Sequence, residues 1–151
     1  MLTTPTVEVA AELFGSLALQ SFAKDMITTM KRSHGVGLAA PQIGKNWKMA
    51  VIHKQTDSAL QADLVLINPR IARAAGQTVR DEEGCLSIPG VFGIVPRPEE
   101  VVVHAFDLEG NRRTIEAYGL FARVLQHEID HLQGILFLDR VEKITQGEHL
   151  L

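Results

Sequence analysis

The sequence is short of cysteine: Cys85 stands alone among 151 residues, so no disulfide can form within the chain. A lone cysteine suits a reducing compartment, where it serves as a ligand, a nucleophile or a core filler. Aromatic residues are scarce at 5%, and basic charge is not in excess, the formal net charge being −3. Neither the charge nor the stacking side chains of a nucleic-acid-binding module are there, and no direct nucleic-acid binding is expected. No lysine or arginine precedes Lys24, so MLTTPTVEVAAELFGSLALQSFAK lacks the basic flank of a secretory signal and the arginine-rich character of a transit peptide. No apolar run approaches the length of a membrane span. These absences point to a cytoplasmic protein that does not engage membranes.

What remains is an ordinary globular composition, 46% hydrophobic and 22% charged, with enough chain to bury one core. A single domain over residues 1–151 is expected. Phe22, Met26, Ile27 and Met30 recur at helical spacing and predict an amphipathic helix across roughly 18–33. HGVGLAAPQIG (34–44) reads as a loop with close backbone turns. KMAVIH (48–53) and DLVLINP (63–69) are short, β-branched and apolar, and read as strands. Residues 70–80 form a weaker strand candidate, and the glycines and prolines of EGCLSIPGVFGIVPRP (83–98) interrupt any long helix. EEVVVHAFD (99–107) and RRTIEAY (112–118) flank the turn-like LEGN and predict a hairpin. GLFARVLQHEIDHLQG closes the series as a helix, with Gly134 suited to its end. Strands between a first and a last helix imply an α+β fold, a mainly antiparallel sheet packed around a buried C-terminal helix. The polar residues on that helix would then lie inside and need partners.

The chemistry begins at QHEIDHLQG (126–134). On a helix, residues i and i+4 share a face about 6 Å apart at Cβ, so His127 and His131 can converge on one ion. Glu128 lies to one side, within reach of a water on such an ion without being a ligand. That is the mechanics of HExxH, two nitrogen ligands plus a general base. Histidines placed by chance in a core are the plain alternative, and the metal is favoured over it. His34, His53, His104 and His149 have no partner at ligand spacing and read as ordinary histidines, with His34 of more interest because it opens the glycine loop.

A catalytic site of this kind needs a third protein ligand. Downstream of His131 the candidates are Asp139, Glu142, Glu148 and His149, and no spacing singles one out. Upstream, Cys85 follows a glycine in EEGCLSIPG, where the backbone can turn and present the thiol. Taken with the histidine pair, ligation by Cys85 is the stronger reading, and a Cys/His/His set suits Zn²⁺ or Fe²⁺ far better than Mg²⁺ or Ca²⁺. In GVGLAAPQIG the Lys-Ser/Thr of a phosphate loop is missing and Ala40 takes the third glycine position of a dinucleotide fingerprint. Its useful polar side chain is Gln42, an amide donor that could face a developing oxyanion, although for this loop alone a Gln42 that merely satisfies nearby backbone is the favoured reading.

GVGLAAPQIG, EGCLS and QHEIDH together resemble the three motifs of the peptide deformylase family, in the same order and with similar separations, over roughly residues 20–141. The resemblance implies one divalent metal per chain held by Cys85, His127 and His131, with Fe²⁺ as the usual ion and Zn²⁺, Ni²⁺ or Co²⁺ able to occupy such sites. It implies that Glu128 acts as general acid and base. Gln42 and the backbone N–H of Leu86 would hold the oxygen of a formyl group. Val36, Leu120 and Val124 match positions lining a methionine pocket, and Gly37, Glu83 and Gly84 fall where bound peptide is contacted. The implied activity is hydrolysis of the N-formyl group from formylmethionine on new polypeptides, releasing formate, with transient ribosome contact. TTPTVEVAAEL matches the family's usual start poorly, and no long helix follows Val141. Arg123, one turn before His127, reads as half of an internal ion pair. Asp130 reads as a support for a ligand histidine or as the partner of an arginine such as Arg97. A different metal-dependent amidase, or a metal-binding relative without turnover, are the alternatives. Gln42 and the EGCLS context speak against the first, and the intact Glu128, Gln42 and Cys85 against the second.

Overall fold

The computed structural model describes residues 2–151. Ser16 opens the first helix by accepting the Leu19 N–H at 3.2 Å, which satisfies a backbone donor that the first turn leaves free. Helix α1 then runs Leu17–Arg32 and buries Leu19, Ala23, Met26 and Met30. Phe22 and Ile27 flank this stripe and pack against the same core. The stretch read as a loop after α1 contains a strand, β1 (Gly37–Ala39), followed by a 3₁₀ turn at Ala40–Ile43. Its glycines and alanines hid it from side-chain patterning, but its backbone pairs with β2 (Met49–Ile52), Gly37 opposite Ile52.

β2 is buried on both faces, which explains its continuous apolar run where a half-exposed strand would alternate. Met49 and Val51 join α1 in one core, and Ile52 joins the last helix in another. β3 spans Leu64–Cys85 and β4 spans Ile88–Phe106, so the weak strand candidate at 70–80 is the middle of one long hairpin. Most of β3 beyond Arg70 is exposed, which removed the alternation that marks a strand in sequence. The predicted hairpin between β4 and β5 (Arg112–Tyr118) forms, with Phe106 opposite Arg112 and Glu100 opposite Tyr118.

Helix α2 runs Gly119–Leu132, and every residue from Phe121 to Leu132 is buried. It is packed against β1 through β5. Phe121, Leu125 and Ile129 meet Val101, Val103 and Ala117 in the larger core. Gly134 takes φ 79°, and Ile135 N–H donates back to Asp130 O at 2.9 Å, so the helix ends in a left-handed glycine turn. A further strand not expected from the patterning, β6 (Lys143–Gln146), pairs with β4 at Phe92–Ile94. All the strand ladders are antiparallel. The α+β architecture, a sheet around a buried HExxH helix, is the one the patterning implied. Among the described residues no helix is long and apolar enough to cross a membrane.

The seating of α2 can be checked by a pair of truncations. Leu125 is fully buried while Leu120, five residues earlier, is 56% exposed. Leu125→Ala is expected to lower the unfolding free energy by about 2–5 kcal/mol, and Leu120→Ala by less than about 0.5 kcal/mol. Equal losses in urea denaturation would contradict this packing.

Candidate active site

The long β3–β4 hairpin brings Cys85 to the histidine pair of α2. Its ladder is regular from Thr78 opposite Pro98 to Gly84 opposite Phe92, but the next pair is Cys85 opposite Ile88. Pro89, Gly90 and Val91 are therefore looped out of register. A bulge of this kind turns the strand and re-aims its side chains, here at the tip where Leu86 and Ser87 make the turn. Cys85 Sγ lies 3.2 Å from His131 Nε2. One donor atom from each of Cys85, His127 and His131 falls within 4.8 Å of the others. Two of the downstream candidates are engaged elsewhere: Asp139 accepts the Leu136 N–H at 2.9 Å, and Glu142 pairs with Arg80 at 2.9 Å.

The orientation of His127 is set from behind. Glu83 Oε1 lies 2.9 Å from His127 Nδ1, so Nδ1 donates to the carboxylate and Nε2 is the nitrogen turned toward the cluster. Glu83 also takes Arg97 at 2.6 and 3.0 Å and Arg123 at 2.7 Å. Arg123 donates further to Val95 O at 2.9 Å and Val79 O at 2.8 Å. Arg97 continues to Asp130 at 2.9 Å, which Arg140 holds from the other side. Arg123 is thus an internal ion-pair partner, and Asp130 meets arginines. Burial would raise the Glu83 carboxyl, but hydrogen bonds from His127 and Arg97 bring it down to about 2.

The same balance acts on the candidate ligands. Burial would raise the Cys85 thiol, yet hydrogen bonds to His127 and His131 and their charge bring it down to about 5. Burial would lower His127, but its bonds to Cys85 and Glu83 raise it to about 10. The cluster is therefore built to hold a thiolate against positive charge, which a divalent ion supplies while taking the place of the imidazole proton. Softness of the sulfur and the two imidazoles fit a transition-metal ion. The buried side-chain polar atoms without a partner, among the described residues, include Glu128 Oε2 and His131 Nδ1. Both belong to this site, and burial raises the Glu128 carboxyl above its ordinary range.

A cavity of about 650 Å³ opens onto the cluster. On one wall are Val36, Gly37 and Gln42, on another Leu120, Val124, His127 and Glu128, and on the hairpin side Glu83, Gly84, Cys85 and Leu86. His131 sits deeper, 1% exposed. The Glu83 carboxylate faces inward and is fully engaged by the arginines and His127. Gly37 has a steric reason to be glycine: a Cβ there would come within 2.8 Å of Glu128 Oε1 and 3.0 Å of Val124 Cγ1. The Gln42 amide is fixed, its Oε1 accepting the Ala39 N–H at 2.8 Å. Ser33, Gly35 and Phe92, which sequence reasoning passed over, also line the cavity, as does His34, noted above only for opening the glycine loop. The glycine after His34 was the available signal for that rim. Phe92 carried none, because it reaches Gly84 only through the pairing of the two long strands.

The family model for polypeptide deformylase matches residues 1–147. The chain belongs to this family. A peptide deformylase from Picosynechococcus sp. is 50% identical over 124 residues, covering 82% of this chain and 66% of its own length. The match thus spans just under two thirds of that relative. Among solved structures, a peptide deformylase from Synechococcus elongatus in complex with actinonin is 46% identical, with a TM-score of 0.84 over 93% of this chain and 75% of that one. A Met-Ala-Ser-bound class I type b peptide deformylase from Acinetobacter baumannii is 34% identical, with a TM-score of 0.86 over 92% of each chain. Deformylases are metal-dependent, which agrees with the thiolate and imidazole cluster of this family member.

Two substitutions test the geometry. Glu83→Gln is expected to weaken metal binding about 10–100-fold, measured by competition with a chelator; unchanged affinity would mean that Glu83 does not orient His127. Gly37→Ala is expected to displace Glu128 and cost about 1–3 kcal/mol of stability through overpacking, read by denaturation alongside activity.

Proposed function

We propose that this chain is a metal-dependent amide hydrolase that removes the N-formyl group from formylmethionine at the start of new polypeptides, releasing formate. The observation that carries this reading is the meeting, in one cavity, of a Cys/His/His donor set, a buried carboxylate with a free oxygen at Glu128, and the locked amide of Gln42. Cys85, His127 and His131 would hold the ion, with Fe²⁺ as the physiological choice. When bound, such an ion supplies Lewis acidity to water and to the substrate carbonyl.

The side chains do the rest. Glu128, with its pKa raised by burial, takes a proton from the attacking water and returns it to the leaving amine, as one group must in general acid–base catalysis. Gln42 Nε2 and the Leu86 N–H donate to the oxygen as charge develops on it. A donor so placed typically contributes about 10²–10³ in rate. Val36, Leu120 and Val124 give the cavity an apolar wall for the methionine side chain, whose burial is worth about 1.5–3 kcal/mol. The peptide lies against Gly37 and the Glu83–Gly84 strand. The Met-Ala-Ser and actinonin complexes of the relatives support a peptide-sized occupant. The reaction belongs in the cytoplasm, where chains emerge from the ribosome, and transient contact with the ribosome is part of this reading.

Formate release from formyl-Met-Ala-Ser by anaerobically prepared, Fe²⁺-loaded protein is the direct test. Turnover is expected, and Glu128→Ala should lose about 10²–10⁴ of it while retaining its metal. No formate from folded, metal-loaded protein would overturn the assignment.

A further inference from the structure

Gln42 has two amide hydrogens, and the structure places them unequally. Its Nε2 donates to Ser87 Oγ at 3.0 Å, while the contact from the same nitrogen to Cys85 Sγ is 3.7 Å. A hydrogen bond to a hydroxyl at the first distance is well formed, whereas a long contact to sulfur is weak and easily exchanged. The opposite end of the amide is held by the Ala39 N–H. The amide plane is thus pinned at two points, and the second hydrogen is left for an incoming oxygen. Ser87 itself does not line the cavity; it sits behind Gln42 at the tip of the β3–β4 hairpin, one residue from Leu86.

We infer that Ser87 is a positioning residue: its hydroxyl accepts one Gln42 amide hydrogen and thereby aims the other at the substrate oxygen. This inference rests on the hydrolase reading for its catalytic consequence, but the positioning itself is a property of the two side chains. It also ties both proposed oxyanion donors to one structural unit. The turn that presents the Leu86 N–H carries the hydroxyl that orients Gln42, so the two donors move together. Preorganised donors are effective because they need no reorientation as charge develops. An amide free to rotate would spend part of its time aimed wrongly.

A double-mutant cycle separates this role from a merely structural one. In the Fe²⁺-loaded enzyme, Ser87→Ala is expected to lower kcat for formyl-Met-Ala-Ser about five- to tenfold with KM little changed, as loss of one hydrogen bond would do. Ser87→Thr, which keeps the hydroxyl, should restore most of it. In a Gln42→Ala background, Ser87→Ala should have almost no further effect. A second readout does not depend on turnover. In the Zn²⁺-loaded protein, the Gln42 side-chain amide followed by NMR relaxation should gain mobility on Ser87→Ala. An equal loss of kcat in both backgrounds, no loss in either, or an amide equally rigid in both proteins would each overturn the inference. Wild-type protein without turnover, but with an amide that loosens in the variant, would instead overturn the hydrolase reading and leave the positioning standing.

Discussion

The Glu83 carboxylate is the contact through which the hairpin, the sheet and the helix are brought into one arrangement. It lies next but one to Cys85 on β3 and receives Arg97 from β4 and both Arg123 and His127 from α2. Four hydrogen bonds from three partners on two elements converge on its two oxygens. Each contact is short, and the group is 7% exposed, so little water competes for it. Breaking one partner out of such a buried set typically costs about 3–5 kcal/mol, because the remaining charges are left uncompensated. The distance between Cys85 and the histidines is therefore fixed by charge as well as by packing.

This arrangement accounts for the unusual burial of α2. A helix carrying Arg123, Gln126, His127, Glu128, Asp130 and His131 would ordinarily turn that side to water. Here the whole run is covered, and Arg123, Gln126, His127, Asp130 and His131 find partners on β3 and β4 or in Arg140. Glu128 Oε2 and His131 Nδ1 stand out as unpartnered atoms. Unsatisfied buried groups are rare in stable proteins and tend to mark function. Their place beside the donor cluster fits a site whose polar demands are completed by an ion, water and substrate.

Much of the fold was legible because its periodicities are local. The apolar stripe of α1, the short strands at β2 and the start of β3, the β4–β5 hairpin and the glycine stop at Gly134 each announce themselves within a dozen residues. The long middle of β3 did not, because it is exposed on both sides and has no alternation to display. β1 was hidden by its small residues, whose strand identity comes from backbone pairing with β2. Within the site, residue types and spacing singled out His127, His131, Glu128 and Cys85, while Gln42 stood out only through the family resemblance. The same spacing could not assign the Glu83 carboxylate to the ion-pair cluster, since its partners lie 14, 40 and 44 residues away in sequence.

The sequence by itself determined the chemistry available: two imidazoles one helical turn apart, a carboxylate beside them, and one thiol next to a glycine. Those follow from the identity of the residues and the pitch of a helix, and no tertiary contact is needed to state them. Only the tertiary structure decided how they are used. The bulge at Gly84–Cys85 brings the thiol to the histidines, Glu83 selects the nitrogen that His127 offers, and Gly37 leaves room for Glu128. Each of these depends on atoms far apart in the chain meeting within a few ångströms, and such meetings are settled by packing and charge rather than by local pattern.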